Sequence, residues 1–150
     1  GGRPVVLFGS SMGGAAVLRA VQLASVTPDG VIVEATYDRL LSTIRHRFGA
    51  MGVPSWPSAE ALVLWGGVQH GFDAFSHNPR EYAESVRAPF LVLHGDRDPR
   101  VSVGEARANL EASPSERKEL HVFRDVGHEV YVNVKPAEWR EVVGRFLNGL

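Results

Sequence analysis

The feature that most restricts the fold of this chain is the pattern Gly-x-Ser-x-Gly at residues 9–13. An apolar run without alternation, residues 5–8, precedes it and predicts a strand covered on both faces of a parallel sheet. Apolar residues at helical spacing follow it and predict a helix from residue 12 to about residue 24. A tight turn from a buried strand into a helix indicates an α/β fold.

This pattern has the spacing of a nucleophile elbow. A serine hydroxyl attacks a carbonyl only when a base removes its proton, and the elbow presents the serine oxygen above the sheet edge. We expect side chains at positions 9 and 13 to collide across the turn, which explains glycine at both. Ser11 is the predicted nucleophile, and the N–H of Met12 at the helix N-terminus is the predicted oxyanion donor. Ser10 is a weaker candidate for the nucleophile, because the residues two before and two after it, Phe8 and Met12, are not small.

The rest of the chain reads as three more strands alternating with helices. Strands are predicted at residues 31–33, 89–93 and 119–123, and helices at 102–112 and from 136 to the end. The predicted fold class is α/β, a mostly parallel doubly wound sheet with flanking helices in one domain over residues 1–150.

A small helical insert is expected at about residues 37–88. It contains helix-like residues 37–49, a helix over residues 59–66 capped by Ser58, and a short helix opened by Asn78 and Pro79. The pair Gly66–Gly67 is expected to end the second of these helices. The insert also holds four aromatic residues, expected to pack it against the core, with a substrate pocket as the alternative: Trp56, Trp65, Phe72 and Phe75.

Reactive side chains follow three of the predicted strands, in the order Ser11, Asp98, His128. The carboxyl ends of the strands are where open α/β sheets bind ligands. Asp98 could instead cap the helix that begins near residue 102. Asp96 and Glu34 are alternative candidates for the acid that orients His128.

The remaining histidines have no comparable context. His94 is expected to be structural, and the others are expected at the surface or in packing: His46, His70, His77 and His121. No grouping has metal-ligand spacing, and the Gly-rich turn lacks the Gly-Lys-Ser/Thr ending of a phosphate-binding loop.

These motifs together resemble the C-terminal part of an α/β-hydrolase of the serine esterase and peptidase type. Residues 9–14 resemble the family's elbow, residues 94–101 its H-G-x-x-D-x-x-V acid turn, and residues 127–128 its Gly-His base turn. Residues 34–37 are similar to a bacterial branch related to Bem46-like hydrolases. The resemblance implies a triad of Ser11, Asp98 and His128, a Met12 oxyanion donor, an ester or less favourably a peptide substrate, and no cofactor or metal.

The resemblance also implies that earlier strands and a second oxyanion donor belong before residue 1. An alternative function is therefore a catalytically incompetent fragment or binding module with a half-built oxyanion hole. The exposed edge of the elbow strand is then expected to pair with a second copy or a partner chain.

Composition restricts the remaining classes of function. The net charge of −1 gives no indication of nucleic-acid binding, and the chain has no cysteine for disulfides or thiolate metal sites. No apolar run is long enough to predict a membrane span. The absence of cysteine fits a cytoplasmic protein.

Overall fold

The computed structural model describes residues 2–24 and 26–150. Four parallel strands form one sheet in the order β1-β2-β3-β4, with bounds Val6–Ser10, Gly30–Glu34, Phe90–Gly95 and Lys118–Phe123. The α-helices are α1 Met12–Leu23, α2 Leu40–Ala50, α3 Ser58–His70, α4 Pro79–Ala83, α5 Val103–Ala112, α6 Tyr131–Val134 and α7 Pro136–Asn148, and a 3₁₀ helix spans Ala74–Ser76.

The two central strands are buried on both faces, as their unbroken apolar runs predict. In β2, Val31 and Val33 pack on one side with Leu18 of α1, whereas Ile32 packs on the other side with Val142 of α7. Two hydrophobic layers therefore enclose one parallel sheet, which confirms the predicted fold class.

β1 differs from the buried strand that its sequence predicts. Among the described residues it pairs with β2 alone, and Val5 and Phe8 are 59% and 49% exposed. The predicted cover on both faces is therefore incomplete: Leu7 packs against one hydrophobic layer and Val6 against the other, but Val5 and Phe8 stay largely exposed.

The helices between β2 and β3 also depart from one prediction. α3 continues through Gly66 and Gly67 to His70 and ends at Gly71, whose φ of 70° is the left-handed conformation that glycine adopts without strain. A Cβ on Gly67 would lie 2.7 Å from the Phe72 carbonyl oxygen, so this glycine permits a close approach of the following turn. Pro57 occupies the N-cap position of α3 and Ser58 is its first helical residue, so Ser58 is not the cap that the sequence predicts.

α6 was not predicted from the sequence. It is a single turn between the loop that contains His128 and α7, and its first residue, Tyr131, is fully buried. No helix in residues 2–24 or 26–150 is long and apolar enough to cross a membrane.

Candidate active site

Ser11 joins β1 to α1 in a conformation that non-glycine residues rarely adopt. Its φ is 52° and its ψ is −116°, and such backbone strain costs on the order of 1–3 kcal/mol. Its N–H donates to the Glu34 carbonyl (2.7 Å), and its carbonyl accepts from the N–H groups of Gly14 and Ala15 (3.1 and 3.3 Å). The neighbouring strand and the first turn of α1 therefore hold the residue in place.

The glycines around Ser11 have separate roles. A Cβ on Gly9 would lie 2.4 Å from the Gly13 carbonyl oxygen and 2.7 Å from the Gly14 nitrogen. A Cβ on Gly13 would meet nothing within 4 Å, whereas one on Gly14 would lie 1.9 Å from Thr36 Oγ1. The expected collision therefore holds for Gly9 but is wrong for Gly13, because the crowded position in α1 is Gly14.

A chain of hydrogen bonds connects three residues from three strand ends. His128 Nδ1 lies 2.7 Å from Asp98 Oδ2, and His128 Nε2 lies 3.1 Å from Ser11 Oγ. The Asp98 side chain is fully buried, and that of His128 is 14% exposed. Because a carboxylate only accepts, Nδ1–H donates to Asp98, and Nε2 is free to accept the serine proton.

The two carboxylate oxygens of Asp98 have different partners. Oδ1 accepts from the N–H groups of Arg100 (2.8 Å) and Val101 (3.0 Å), which leaves Oδ2 for His128. Burial raises the pKa of Asp98, but the hydrogen bonds from His128 and the two N–H groups outweigh burial and hold the pKa below its usual value. Asp98 is therefore an anion beside the imidazole.

The structure also shows the contacts of the alternatives considered for the acid and for the helix cap. Ser102 caps α5, in a reciprocal capping box with Glu105, so Asp98 is not the helix cap. Asp96 accepts from the N–H of Asp125 (2.7 Å), a bond that orders the turn. Glu34 is 2% exposed and accepts from the indole N–H of Trp139, and burial raises its pKa.

His94 is a structural residue, as the sequence predicts. It is fully buried, and its Nε2 donates to the Val101 carbonyl (2.9 Å), which ties the end of β3 to the turn after Asp98. Burial lowers its pKa, so the ring is neutral at neutral pH.

Tyr131 supports the site and had no signal in the sequence beyond its place near the Gly-His turn. Its hydroxyl accepts from the N–H of Gly95 (2.9 Å), and both residues are buried. A Cβ on Gly95 would lie 2.4 Å from the Val126 carbonyl oxygen. The end of β3 and the loop before His128 are therefore in close contact, which fixes Asp98 and His128 relative to each other.

The N-terminus of α1 lies directly after the serine. In residues 2–24 and 26–150, no hydrogen-bond acceptor contacts the backbone N–H groups of Met12 and Gly13. Free N–H groups at a helix N-terminus favour negative charge. This position suits a developing oxyanion.

A cavity of about 350 Å³ opens beside Ser11 and His128. Apolar side chains of the insert line it, among them Leu40, Ile44 and Phe72. Phe72 therefore lines a pocket, which was the alternative prediction for the aromatic residues of the insert. Trp56 and Trp65 are 73% and 64% exposed, so they do not pack against the core as expected. His77, expected at the surface or in packing, also lines the cavity.

The fold and the strand-end site together define a class of protein, and comparison with solved structures agrees. The Pyrococcus furiosus esterase Pf2001 superposes with a TM-score of 0.70 at 25% identity, over 95% of this chain and 53% of that chain. The Paleococcus ferrophilus monoacylglycerol lipase superposes with a TM-score of 0.65 at 18% identity, over 95% of this chain and 68% of that chain. The chain therefore has the α/β-hydrolase fold and spans about half the length of the Pyrococcus esterase.

The sequence was also compared with protein-family models and with curated proteins. Residues 70–134 match the family described as serine aminopeptidase, S33. This segment contains Asp98 and His128 but not Ser11. No sequence among the curated proteins matches the chain.

Proposed function

We propose that the chain is the C-terminal part of a serine hydrolase that cleaves carboxylic esters, with Ser11 as nucleophile, His128 as base and Asp98 as orienting acid. The observation that carries the proposal is the hydrogen-bonded chain from Asp98 through His128 to Ser11 at the carboxyl edge of the sheet. The strained backbone of Ser11 supports it, since strain of this kind concentrates at reactive residues.

The geometry supports acyl transfer in two steps. Ser11 Oγ attacks the ester carbonyl while its proton passes to His128 Nε2, and the tetrahedral intermediate collapses when that proton passes to the leaving alcohol. Water then repeats the sequence on the acyl-enzyme and releases the acid. Asp98 keeps the proton on Nδ1 and stabilises the imidazolium, which its lowered pKa favours.

The oxyanion of each tetrahedral intermediate would lie at the N-terminus of α1. The Met12 N–H is the proposed donor, and loss of one such donor typically costs on the order of a hundredfold or more in rate. The esterase and lipase neighbours favour ester substrates, and the S33 match keeps amides as the less favoured class.

The test is hydrolysis of p-nitrophenyl butyrate by the chain and by matched variants, after circular dichroism shows that each is folded. We expect Ser11→Ala, Asp98→Asn and His128→Ala to lose about a thousandfold or more in kcat. Glu34→Gln is the control, because Glu34 contacts Trp139 rather than His128 and is expected to retain turnover.

The alternative is a binding module or incompetent fragment. The 53% coverage of the Pyrococcus esterase favours it, as does the outer edge of β1, with which no strand of residues 2–24 or 26–150 pairs. A folded wild type that does not hydrolyse the ester would support this alternative. Turnover that Glu34→Gln loses and Asp98→Asn retains would contradict the proposed assignment of the acid.

A further inference from the structure

The cavity beside Ser11 has an uneven charge distribution. Three arginines from three separate elements line it: Arg19 from α1, Arg47 from α2 and Arg100 from the turn after β3. No acidic side chain lines it among the residues that the structure describes. The sequence as a whole has a net charge of −1, so the excess of positive charge belongs to this cavity and not to a generally basic surface.

These three guanidinium groups have no acidic partner within the described parts of the chain, residues 2–24 and 26–150. Among the described residues, three arginines outside the cavity have such a partner: Arg45 pairs with Glu60, Arg97 with Asp125 and Arg145 with Glu119. A guanidinium presents its N–H donors in a planar fork that matches a carboxylate. The three guanidinium groups around this cavity therefore have hydrogen-bond donors available to bind an anion.

The charges of two of these arginines act on groups inside the cavity. Burial lowers the pKa of His77, and the charge of Arg19 lowers it further. Burial raises the pKa of Tyr37 to about 12, and the charge of Arg47 opposes that rise. Both charges therefore act within the space that a substrate would occupy, and His77 is neutral at neutral pH.

The rest of the lining is aliphatic and aromatic, as at Leu40, Ile44 and Phe72. A ligand that matches both parts of the lining has a short methylene chain and a terminal anion. Small-molecule sites commonly combine an apolar wall with a few placed polar groups in this way.

We propose that the site prefers esters that carry a free carboxylate on an aliphatic chain, such as half-esters of dicarboxylic acids, and that Arg19, Arg47 and Arg100 select them. This inference rests on the proposed ester hydrolysis and adds its substrate class. The arginines bind the carboxylate, and the covalent chemistry at Ser11 is unchanged.

The test compares monoethyl glutarate with ethyl pentanoate, which have similar chains and differ in the terminal carboxylate. Release of ethanol gives kcat/KM for each, and their ratio measures the preference. We expect a ratio of about ten or more in low salt, which falls as NaCl rises because salt screens exposed charges. Each change of Arg19, Arg47 or Arg100 to Gln should lower the ratio severalfold. Arg145→Gln is the control and should keep the ratio, because Arg145 lies on α7 and pairs with Glu119 of β4.

A second readout separates this inference from the proposed function. Binding of both compounds to Ser11→Ala is measured by calorimetry, with and without Arg100→Gln. Tighter binding of the half-ester, lost in Arg100→Gln, supports the anion site even if neither ester is hydrolysed, an outcome that would overturn only the proposed function. Equal binding of the two compounds, or a preference that survives all three arginine substitutions, would overturn the inference.

Discussion

Replacement of Gly9 by alanine tests how tightly the turn around Ser11 is packed. The new Cβ would lie 2.4 and 2.5 Å from the carbonyl oxygen and carbon of Gly13 and 2.7 Å from the Gly14 nitrogen. Ordinary contacts begin near 3.4 Å, so the first turn of α1 must retreat from β1 by about 1 Å. All three neighbours are backbone atoms, which cannot rotate away as the end of a flexible side chain can.

The expected cost follows from this displacement. Overpacking usually costs about 1–3 kcal/mol, and backbone neighbours place this change at the upper end. In a chain of this size, about 3 kcal/mol lowers Tm by roughly 6–12 °C. A shift of about 1 Å between Ser11 and its base also costs on the order of a hundredfold in rate.

Gly13→Ala is the matched control, one elbow glycine further along the chain. Its Cβ would meet nothing within 4 Å, and alanine favours a helix by up to about 1 kcal/mol. Urea titration followed by circular dichroism should therefore place Gly9→Ala well below the wild type and Gly13→Ala at or above it. Equal midpoints for the two variants would refute the packing argument.

Three further changes test other contacts. Tyr131→Phe leaves the buried N–H of Gly95 without its acceptor and should cost about 1–3 kcal/mol in urea titration; no measurable loss would mean that this bond is not formed. Asp98 has a lowered pKa, so the stability it contributes is present above about pH 4 and lost as pH falls through the folded value. Asp98→Asn should therefore show a shallower loss of Tm below pH 4 than the wild type, and an unchanged slope would contradict the pKa direction. Ser102→Ala removes the side-chain half of the capping box with Glu105 and should cost about 1 kcal/mol, whereas an unchanged urea midpoint would show that α5 does not depend on this cap.

The parts of the site that the sequence predicted are those that lie at strand ends. Apolar runs locate buried strands, and the carboxyl ends of parallel strands share one edge of a sheet. Ser11, Asp98 and His128 each follow such a run, and the structure brings their side chains into hydrogen-bond contact. Their catalytic roles stay predictions.

Packing between segments was not predictable in the same way. Glycine disfavours a helix, yet α3 includes Gly67, because the turn at Phe72 packs where a side chain would be. The crowding at Gly14 likewise depends on Thr36, which is distant in sequence. Periodicity along the chain gives no information on such contacts.

The cavity lining was also beyond the sequence patterns. Arg19, Arg47 and Arg100 are separated along the chain, and each alone reads as an ordinary surface charge. Only the packing of α1, α2 and the β3 turn shows that they face one space. Trp56 and Trp65 show the converse, since large aromatic residues predict burial and these two are exposed.

The most direct test of the central claim is covalent labelling with a fluorophosphonate, followed by mass spectrometry of the modified peptide. The account predicts one label per chain on Ser11, none on the adjacent Ser10, and loss of labelling in His128→Ala, because the serine is then without its base. A folded chain that is not labelled, or that is labelled on Ser10 or independently of His128, would contradict the account.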